Sequence, residues 1–167
     1  MNKLLIASLI LSFSAHAKVE LDIFNVGDFS KAEPKVIIGL GSYHLDKIER
    51  AALNQVNPGV GFEVWDVQTV YVTKNSWGNP SFYVTYTPEY EFNDYFAIGL
   101  QAGVATNYKC TDTVKYNNMT YTSGYCSDSG VVFVGGATAY VNPFADGWGI
   151  DTTITPVAIM LDISYKF

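Results

Sequence analysis

Apolar and polar residues alternate along much of the chain with a period of two. The clearest segment is Val157–Phe167, in which every odd-numbered residue is apolar or aromatic and the even-numbered residues include Asp162, Ser164 and Lys166. Such alternation places successive side chains on opposite faces of a β-strand. The segment is longer than the roughly five or six residues of a typical soluble strand, and long enough to cross a bilayer when tilted. It therefore predicts a membrane-spanning strand.

The same alternation recurs often enough to predict eight strands. We place them at residues 35–45, 58–66, 68–75, 81–91, 94–107, 130–141, 148–155 and 157–167. Their second face is too rich in glycine and alanine for a water-exposed surface, so we expect the apolar face to point outward, towards lipid. The expected inward positions are mostly glycines and tyrosines: Gly39, Gly41, Gly61, Gly99, Gly103, Tyr43, Tyr71 and Tyr83.

These segments predict an all-β protein. Its fold would be an eight-stranded antiparallel transmembrane β-barrel of the outer-membrane type, spanning residues 35–167. No run of 18 apolar residues follows residue 17, which excludes a membrane-spanning helix there. We expect a monomer in the outer membrane of a Gram-negative bacterium. A soluble calycin-like barrel, with its apolar faces turned inward, is the alternative.

The first residues have the features of a secretory signal. Lys3 precedes an apolar run over residues 4–13, and Ala15-His16-Ala17 is a small-x-small cleavage site. We therefore expect residues 1–17 to be a signal peptide and residues 18–34 to be an N-terminal periplasmic segment.

The charge balance excludes one class of partner. Beyond residue 17 the chain has nine Lys and Arg against sixteen Asp and Glu, a net charge of −7. Nucleic-acid binding depends on a basic surface that neutralises phosphates, so no nucleic-acid partner is expected.

Two cysteines lie in the longest predicted loop, at residues 108–129. Cys110 and Cys126 are expected to form a disulfide, because exported proteins oxidise such pairs. No histidine lies near them, so a zinc site would be incomplete. We expect no metal.

Strand direction brings one candidate pair of reactive residues together. If the first and third strands both run outward, His44 and Ser76 lie near the same rim of the barrel, two strands apart. A serine with a histidine base is the usual arrangement for acyl transfer. Histidine and serine are also common at the polar rims of barrels, so the position of both residues is equally well explained without catalysis. Strict alternation would also turn both side chains towards lipid, unless a β-bulge reverses the order.

Several segments resemble the outer-membrane lipid A palmitoyltransferases (the PagP family). Ser42-Tyr43-His44 is similar to the family's aromatic-His pair, and Lys74-Asn75-Ser76-Trp77 resembles its Lys-Asp-Ser-Trp. Asn57–Phe62, Ile98–Thr106 and Ser164–Phe167 are similar to its second, fifth and last strands. The resemblance covers about residues 35–107, and residues 130–167 more loosely.

The resemblance implies an acyltransferase that moves an acyl chain from a phospholipid to lipid A without a cofactor. His44, Asn75 and Ser76 would be its catalytic residues, although Asn75 stands where the family has an aspartate. We expect Asp46 as a possible supporting carboxylate. Thr87 stands where the family has the glycine that sets acyl-chain depth, which implies a chain shorter than palmitate.

Two other functions remain open. The chain could be a non-enzymatic small outer-membrane barrel whose 108–129 loop binds a host or phage surface. It could also be a lipid-ester hydrolase that uses His44 and Ser76 with water as the acceptor. Whether the chain is an enzyme at all is left undecided by the sequence, because Asn75 carries no charge to stabilise an imidazolium.

Overall fold

The computed structural model describes residues 33–93, 95–122, 124–143 and 147–167. The expected signal peptide at 1–17, and all but the last two residues of the expected periplasmic segment at 18–34, lie outside the described residues. Within the described ranges, no helix is long and apolar enough to cross a membrane.

Eight antiparallel strand positions close into a barrel, which confirms the predicted fold class. In chain order the elements are β1 Lys35–His44, α1 Lys47–Ala52, β2 Val56–Val64, β3 Val67–Val72, β4 Ser81–Tyr86, β5 Glu89–Asn93, β6 Phe96–Ala105, β7 Thr113–Tyr116, β8 Met119–Thr122, β9 Val132–Val141, β10 Trp148–Ile154 and β11 Ala158–Lys166. The first strand, β1, pairs with both β2 and the last strand, β11, which closes the barrel.

One of the eight predicted strands is interrupted. The predicted strand at 81–91 divides into β4 and β5, both of which pair with β6. Pro88 lies at the break and has no N–H to contribute to the ladder. Its carbonyl still accepts a hydrogen bond of 3.2 Å from Leu100 N, so the barrel wall stays continuous.

The two ends of the barrel differ. The turn end carries the connections β2–β3, β5–β6 and β9–β10, and the loop end carries the connections β1–β2, β3–β4, β6–β9 and β10–β11. At the turn end Trp65 and Asp66 both have positive φ, at 55° and 59°. This is the two-residue hairpin geometry that matches the twist of the flanking strands.

The outside of the barrel is apolar. Large side chains that point outward and are exposed include Val36, Ile38, Val60, Phe62, Phe82, Val84, Ile98, Leu100, Phe133, Ile150, Ile154 and Leu161. Aromatic rings cluster near the turn end, where the ring centroids of Trp148 and Tyr165 lie 5.0 Å apart in a tilted pair and Phe92 stacks against Phe96 at 5.5 Å. An apolar band with an aromatic girdle suits a bilayer and its interface. The barrel is therefore of the Gram-negative outer-membrane type, not a soluble calycin-like one.

The interior of the turn end is filled by charged side chains. Lys35 Nζ lies 2.9 Å from Glu89 Oε1, 3.2 Å from Asp151 Oδ1 and 3.9 Å from Glu63 Oε2. The Lys35 side chain is only 1% exposed. The side chains of this cluster fill the interior of the turn-end half of the barrel.

Two of the expected interior tyrosines lie outside. Tyr43 is 52% exposed and Tyr71 is 36% exposed, whereas Val70 and Val72 are buried inside. The prediction for β3 was wrong because both faces of that strand are apolar or aromatic, so the alternation does not distinguish inside from outside. Tyr83 points inward as expected and packs against Val70 and Val72.

The long loop contains a hairpin that the sequence analysis did not predict. Strands β7 and β8 pair through Asn117 and Asn118, whose φ angles of 49° and 63° form a two-residue turn. Such turns favour asparagine at positive φ. The predicted disulfide between Cys110 and Cys126 is confirmed, and it joins the two ends of this excursion.

We expect the disulfide to control the order of this loop. Replacing both cysteines by serine should remove about 3 kcal/mol of loop-closure stabilisation and loosen the hairpin. Trypsin should then cleave at Lys109 and Lys115 much faster than in the oxidised protein, while the barrel stays protected. The reduced wild-type protein is the matched control and should behave like the variant. Equal cleavage rates in the oxidised protein and the variant would contradict this expectation.

Candidate functional site

A β-bulge in β1 turns His44 into the barrel. In the pairing of β1 with β11, Gly39 is opposite Asp162 and Gly41 is opposite Leu161, so Leu40 is an extra residue. One extra residue reverses which side chains face inward beyond it. His44 is consequently only 4% exposed and pairs with buried Ala158. The expectation from strict alternation, that His44 faces lipid, was wrong for this reason.

His44 and Ser76 are in direct contact. His44 Nε2 lies 3.0 Å from Ser76 Oγ, within hydrogen-bond distance. The serine is held in place through its backbone, because Asn54 N donates to Ser76 O at 2.9 Å. The two residues that the sequence analysis placed near one rim are therefore brought together as a histidine–serine pair.

The other ring nitrogen of His44 contacts Gln55, a residue that the sequence analysis missed. Gln55 Oε1 lies 3.1 Å and Gln55 Nε2 lies 2.8 Å from His44 Nδ1. Gln55 Oε1 also accepts a hydrogen bond of 3.1 Å from His44 N. Gln55 lies between a short helix and β2 and belongs to no motif, so no pattern in the sequence singles it out.

Asn75 is adjacent to Ser76 in sequence, but its side chain does not contact His44. Its buried side chain accepts hydrogen bonds from Trp77 N at 2.9 Å and Asn79 N at 3.0 Å. Its amide nitrogen donates to Asn107 O at 3.0 Å. These contacts fix the turn over residues 75–79 and tie it to the end of β6. In this structure Asn75 therefore positions the backbone around Ser76 and does not orient the imidazole.

Asp46 caps helix α1. Its Oδ1 accepts hydrogen bonds from Ile48 N at 2.7 Å and Glu49 N at 3.0 Å. The backbone N–H groups of Glu49 and then Ile48 lower the pKa of this exposed carboxyl. Asp46-x-x-Glu49 is a capping-box pattern that could have predicted the helix. The carboxylate faces the helix and not the imidazole, so the position expected for a supporting acid is occupied by Gln55.

The histidine–serine pair lines a cavity of about 500 Å³ in the loop-end half of the barrel. Such a volume is in the range of small-molecule sites. Much of the wall is apolar, and it includes Leu53, Val70, Val72, Trp77, Val134, Val157 and Met160. A cavity of this kind suits a hydrocarbon chain better than a polar ligand.

Two hydrogen-bonded tyrosines line the same cavity as Ser76. The Tyr108 hydroxyl is hydrogen-bonded to the Tyr83 hydroxyl, and both rings line the cavity. Burial raises the pKa of the Tyr108 phenol, an effect that the hydrogen bond with Tyr83 partly opposes. The phenol therefore remains protonated at neutral pH and can donate a hydrogen bond beside Ser76.

A layer of amides forms the floor of the cavity. Gln101 Nε2 donates to Gln68 Oε1 at 3.0 Å and to Thr85 Oγ1 at 3.1 Å, and both glutamines line the cavity. Thr87 lies below this layer, where its hydroxyl bonds Asp66 O at 3.2 Å. Thr87, expected to set acyl-chain depth, is thus separated from the cavity by the amide layer.

The hairpin of β7 and β8 folds over the mouth of the cavity. Tyr121 stacks on Trp77 with ring centroids 6.3 Å apart and planes 8° from parallel. Its hydroxyl donates to Glu49 Oε1 at 3.0 Å. Because Trp77 and Glu49 line the cavity, this contact partly covers the histidine–serine pair.

Among the residues that the structure describes, no three His, Cys, Asp or Glu side chains form a group that could hold a metal ion.

Comparison with known proteins yields a structural likeness. No protein-family model and no curated protein sequence matches the chain. Among solved structures, the chain is similar to the outer membrane protein Ail of Yersinia pestis, whose backbone structure was determined in a phospholipid bilayer nanodisc. The match has 15% sequence identity and a TM-score of 0.46, and covers 82% of this chain and 100% of Ail.

Proposed function

We propose that the protein is an outer-membrane acyltransferase of the lipid A palmitoyltransferase (PagP-like) type. The observation that carries the proposal is the contact of 3.0 Å between His44 Nε2 and Ser76 Oγ at the wall of an apolar cavity inside a membrane barrel. A base and a hydroxyl within hydrogen-bond distance are what nucleophilic acyl transfer requires. The donor would be a phospholipid and the acceptor lipid A, both of which reach the barrel from the membrane.

The chemistry follows from the roles of the two side chains. As Ser76 Oγ attacks the ester carbon of the donor, its proton passes to His44 Nε2, and a bond from Oγ to the acyl carbon forms. When the ester bond breaks, the same proton passes to the departing lysophospholipid oxygen. An acceptor hydroxyl then attacks the acyl-serine, gives its proton to His44, and releases Ser76, which recovers its proton. The Tyr108 phenol, which lines the same cavity, would donate to the oxyanion formed in each step.

A second candidate function is supported by the loop-end hairpin. The excursion over 108–129 is closed by the Cys110–Cys126 disulfide, and Met119 at its turn is 65% exposed. An ordered projection of this kind suits a non-enzymatic barrel that binds a host or phage surface. On that reading the histidine–serine pair would stabilise the loop end without performing chemistry.

Lipid A mass spectrometry separates these functions. The full-length protein would be expressed in a Gram-negative host that lacks its own palmitoyltransferase, beside a His44→Ala variant. Heat-modifiable migration on a gel would confirm that both barrels are folded. A gain of one acyl chain that the variant lacks supports the transferase. Loss of one chain would indicate the hydrolase, and unchanged lipid A with a folded barrel would favour the binding barrel.

The amide floor predicts which residue limits the acyl chain. Gln101→Ala should open the floor and shift the transferred chains towards greater length, because the cavity would extend towards the turn end. Thr87→Ala is the matched control, since Thr87 lies below the floor and its truncation should leave the chain-length distribution unchanged. The masses of the modified lipid A species report both results. A shift in the Thr87 variant alone would contradict the assignment of the floor to the amides.

A further inference from the structure

Gln55 occupies the place that an acid has in a serine–histidine–acid triad. Its side-chain amide contacts His44 Nδ1, on the side of the imidazole opposite Ser76. We propose that Gln55 is the positioning residue of His44, and that the uncharged amide holds the imidazole as a weaker base than a carboxylate would. The inference rests on the function proposed above.

The orientation of the amide is determined by its neighbours. Gln55 Oε1 faces His44 N at 3.1 Å, and Gln55 Nε2 faces Leu53 O at 3.1 Å. Exchanging the oxygen and nitrogen would set two N–H groups against each other and two oxygens against each other. The assignment of the amide thus follows from the network and does not depend on a choice between equivalent atoms.

The local backbone holds this amide in position. Ser42 N donates to Gln55 O at 2.9 Å, which attaches the Gln55 segment to β1 just beyond the bulge. A Cβ atom at Gly41 would lie 2.5 Å from Gln55 O, so the close approach requires glycine there. The bulge that turns His44 inward and the glycine beside it also bring Gln55 to the ring.

An amide and a carboxylate act differently on a neighbouring imidazole. The oxygen of Gln55 can accept a hydrogen bond from Nδ1–H, which leaves Nε2 free to take the serine proton. Its NH₂ group can instead donate to Nδ1, which leaves the proton on Nε2 and the base unavailable. A carboxylate accepts only, so it would select the first tautomer and stabilise the imidazolium.

The proposal predicts a gain of function. Gln55→Glu should raise the acyl-transfer rate by about tenfold, less than the factor of about 10⁴ that exchanging the acid of such a triad for an amide costs elsewhere, because one carboxylate oxygen would then face Leu53 O, to which Gln55 Nε2 donates at 3.1 Å. Gln55→Met, which keeps the length of the side chain but not its polar atoms, should lower the rate by a similar factor. Arg50, whose Nη1 donates to His44 O at 3.2 Å, provides a cation near the added carboxylate.

Nitrogen NMR of the histidines gives a readout that does not depend on activity. The chain has only His16 and His44, so [¹⁵N]histidine labelling of the refolded protein in detergent, with His16→Ala for assignment, isolates the His44 ring. Gln55→Glu should move the His44 titration midpoint upward by about one pH unit or more and favour protonation at Nδ1. Among the described residues, the charged or titratable groups that line the same cavity or contact His44 are Glu49 and Arg50 on α1, Tyr83 on β4, Tyr108 and Tyr125 after β6, and Asp162 on β11, and all are retained in the variant.

Asp46→Asn is the matched control. Asparagine also caps helices well, so α1 should persist, and the His44 titration and the transfer rate should not change. Unchanged titration and rate in Gln55→Glu would overturn the proposal. So would a loss of rate in Gln55→Met with an unchanged ring tautomer, since that would indicate packing alone. A shifted titration in Gln55→Glu, with no lipid modification by any variant, would support the role of Gln55 and overturn the proposed acyltransferase.

Discussion

Lys35→Met is expected to destabilise the barrel by about 3–5 kcal/mol. The Lys35 ammonium is buried, and Glu89, Asp151 and Glu63 lie 2.9, 3.2 and 3.9 Å from it. Removing the cation leaves three carboxylates facing one another inside the barrel, and an uncompensated buried charge costs several kcal/mol. The refolded barrel would be unfolded with urea in detergent, and unfolding would be monitored by the loss of heat-modifiable migration on a gel. The transition gives the change in the free energy of unfolding.

Two further variants make this expectation specific. Lys166→Met is the matched control: its shortest ion pair, of 2.7 Å, is with Glu91, whose side chain is 63% exposed, and its longer pair, of 3.5 Å, is with Glu89, which keeps its contact of 2.9 Å with Lys35 in this variant. The pair with exposed Glu91 contributes about 1 kcal/mol or less, and Glu89 still has Lys35 as its closer partner, so this loss should be smaller. Adding Glu63→Gln and Asp151→Asn to Lys35→Met should restore much of the stability. Equal losses in the Lys35 and Lys166 variants would show that burial of the charge is not the cause.

The strands could be predicted because one physical constraint governs nearly all of them. A strand with lipid outside and small or polar side chains inside must alternate, as Val157–Phe167 does. The predicted seventh strand at 148–155 alternates poorly, yet β10 spans Trp148–Ile154. There the charged cluster at the turn end, to which Asp151 belongs, decides the inward face.

The site was less predictable because it depends on departures from the regular pattern. The extra residue Leu40 changes the direction of every side chain that follows it in β1, including His44. Nothing in Gly39-Leu40-Gly41 specifies a bulge, since glycine is compatible with regular strands as well. Gln55 reaches His44 only because the bulge and the close approach at Gly41 bring two segments together.

Neighbours in sequence can also take different roles in three dimensions. Asn75 and Ser76 are adjacent, and the resemblance to a known family gives both a catalytic role. In the folded chain the Asn75 side chain bonds Trp77 N, Asn79 N and Asn107 O, and only Ser76 reaches His44. Comparison of short motifs could not reveal this, because the hydrogen-bond partners of Asn75 come from its own turn and from the end of a distant strand.

The His44→Ala and Ser76→Ala variants should each lower acyl transfer by about 10²–10⁴-fold, and the double variant should be no worse than either. The two side chains act in one proton transfer across the 3.0 Å contact, so removing one leaves the other without a partner. Rates would be measured with the refolded protein in mixed micelles that contain a phospholipid donor and lipid A. Residual activity would reflect binding in the cavity and the Tyr108 hydrogen bond.

The pair of single variants also separates two mechanisms. If Ser76 is the nucleophile, an acyl-enzyme should form on it, and mass spectrometry of the protein mixed with donor alone should detect the added acyl mass in wild type but not in Ser76→Ala. If Ser76→Ala retains most of the activity that His44→Ala loses, His44 must instead take its proton directly from the lipid A hydroxyl. If the rate losses of the two single variants multiply in the double variant, the two side chains contribute independently to the activation free energy. That result would contradict a shared proton transfer, because residues that act as one catalytic unit do not have additive effects.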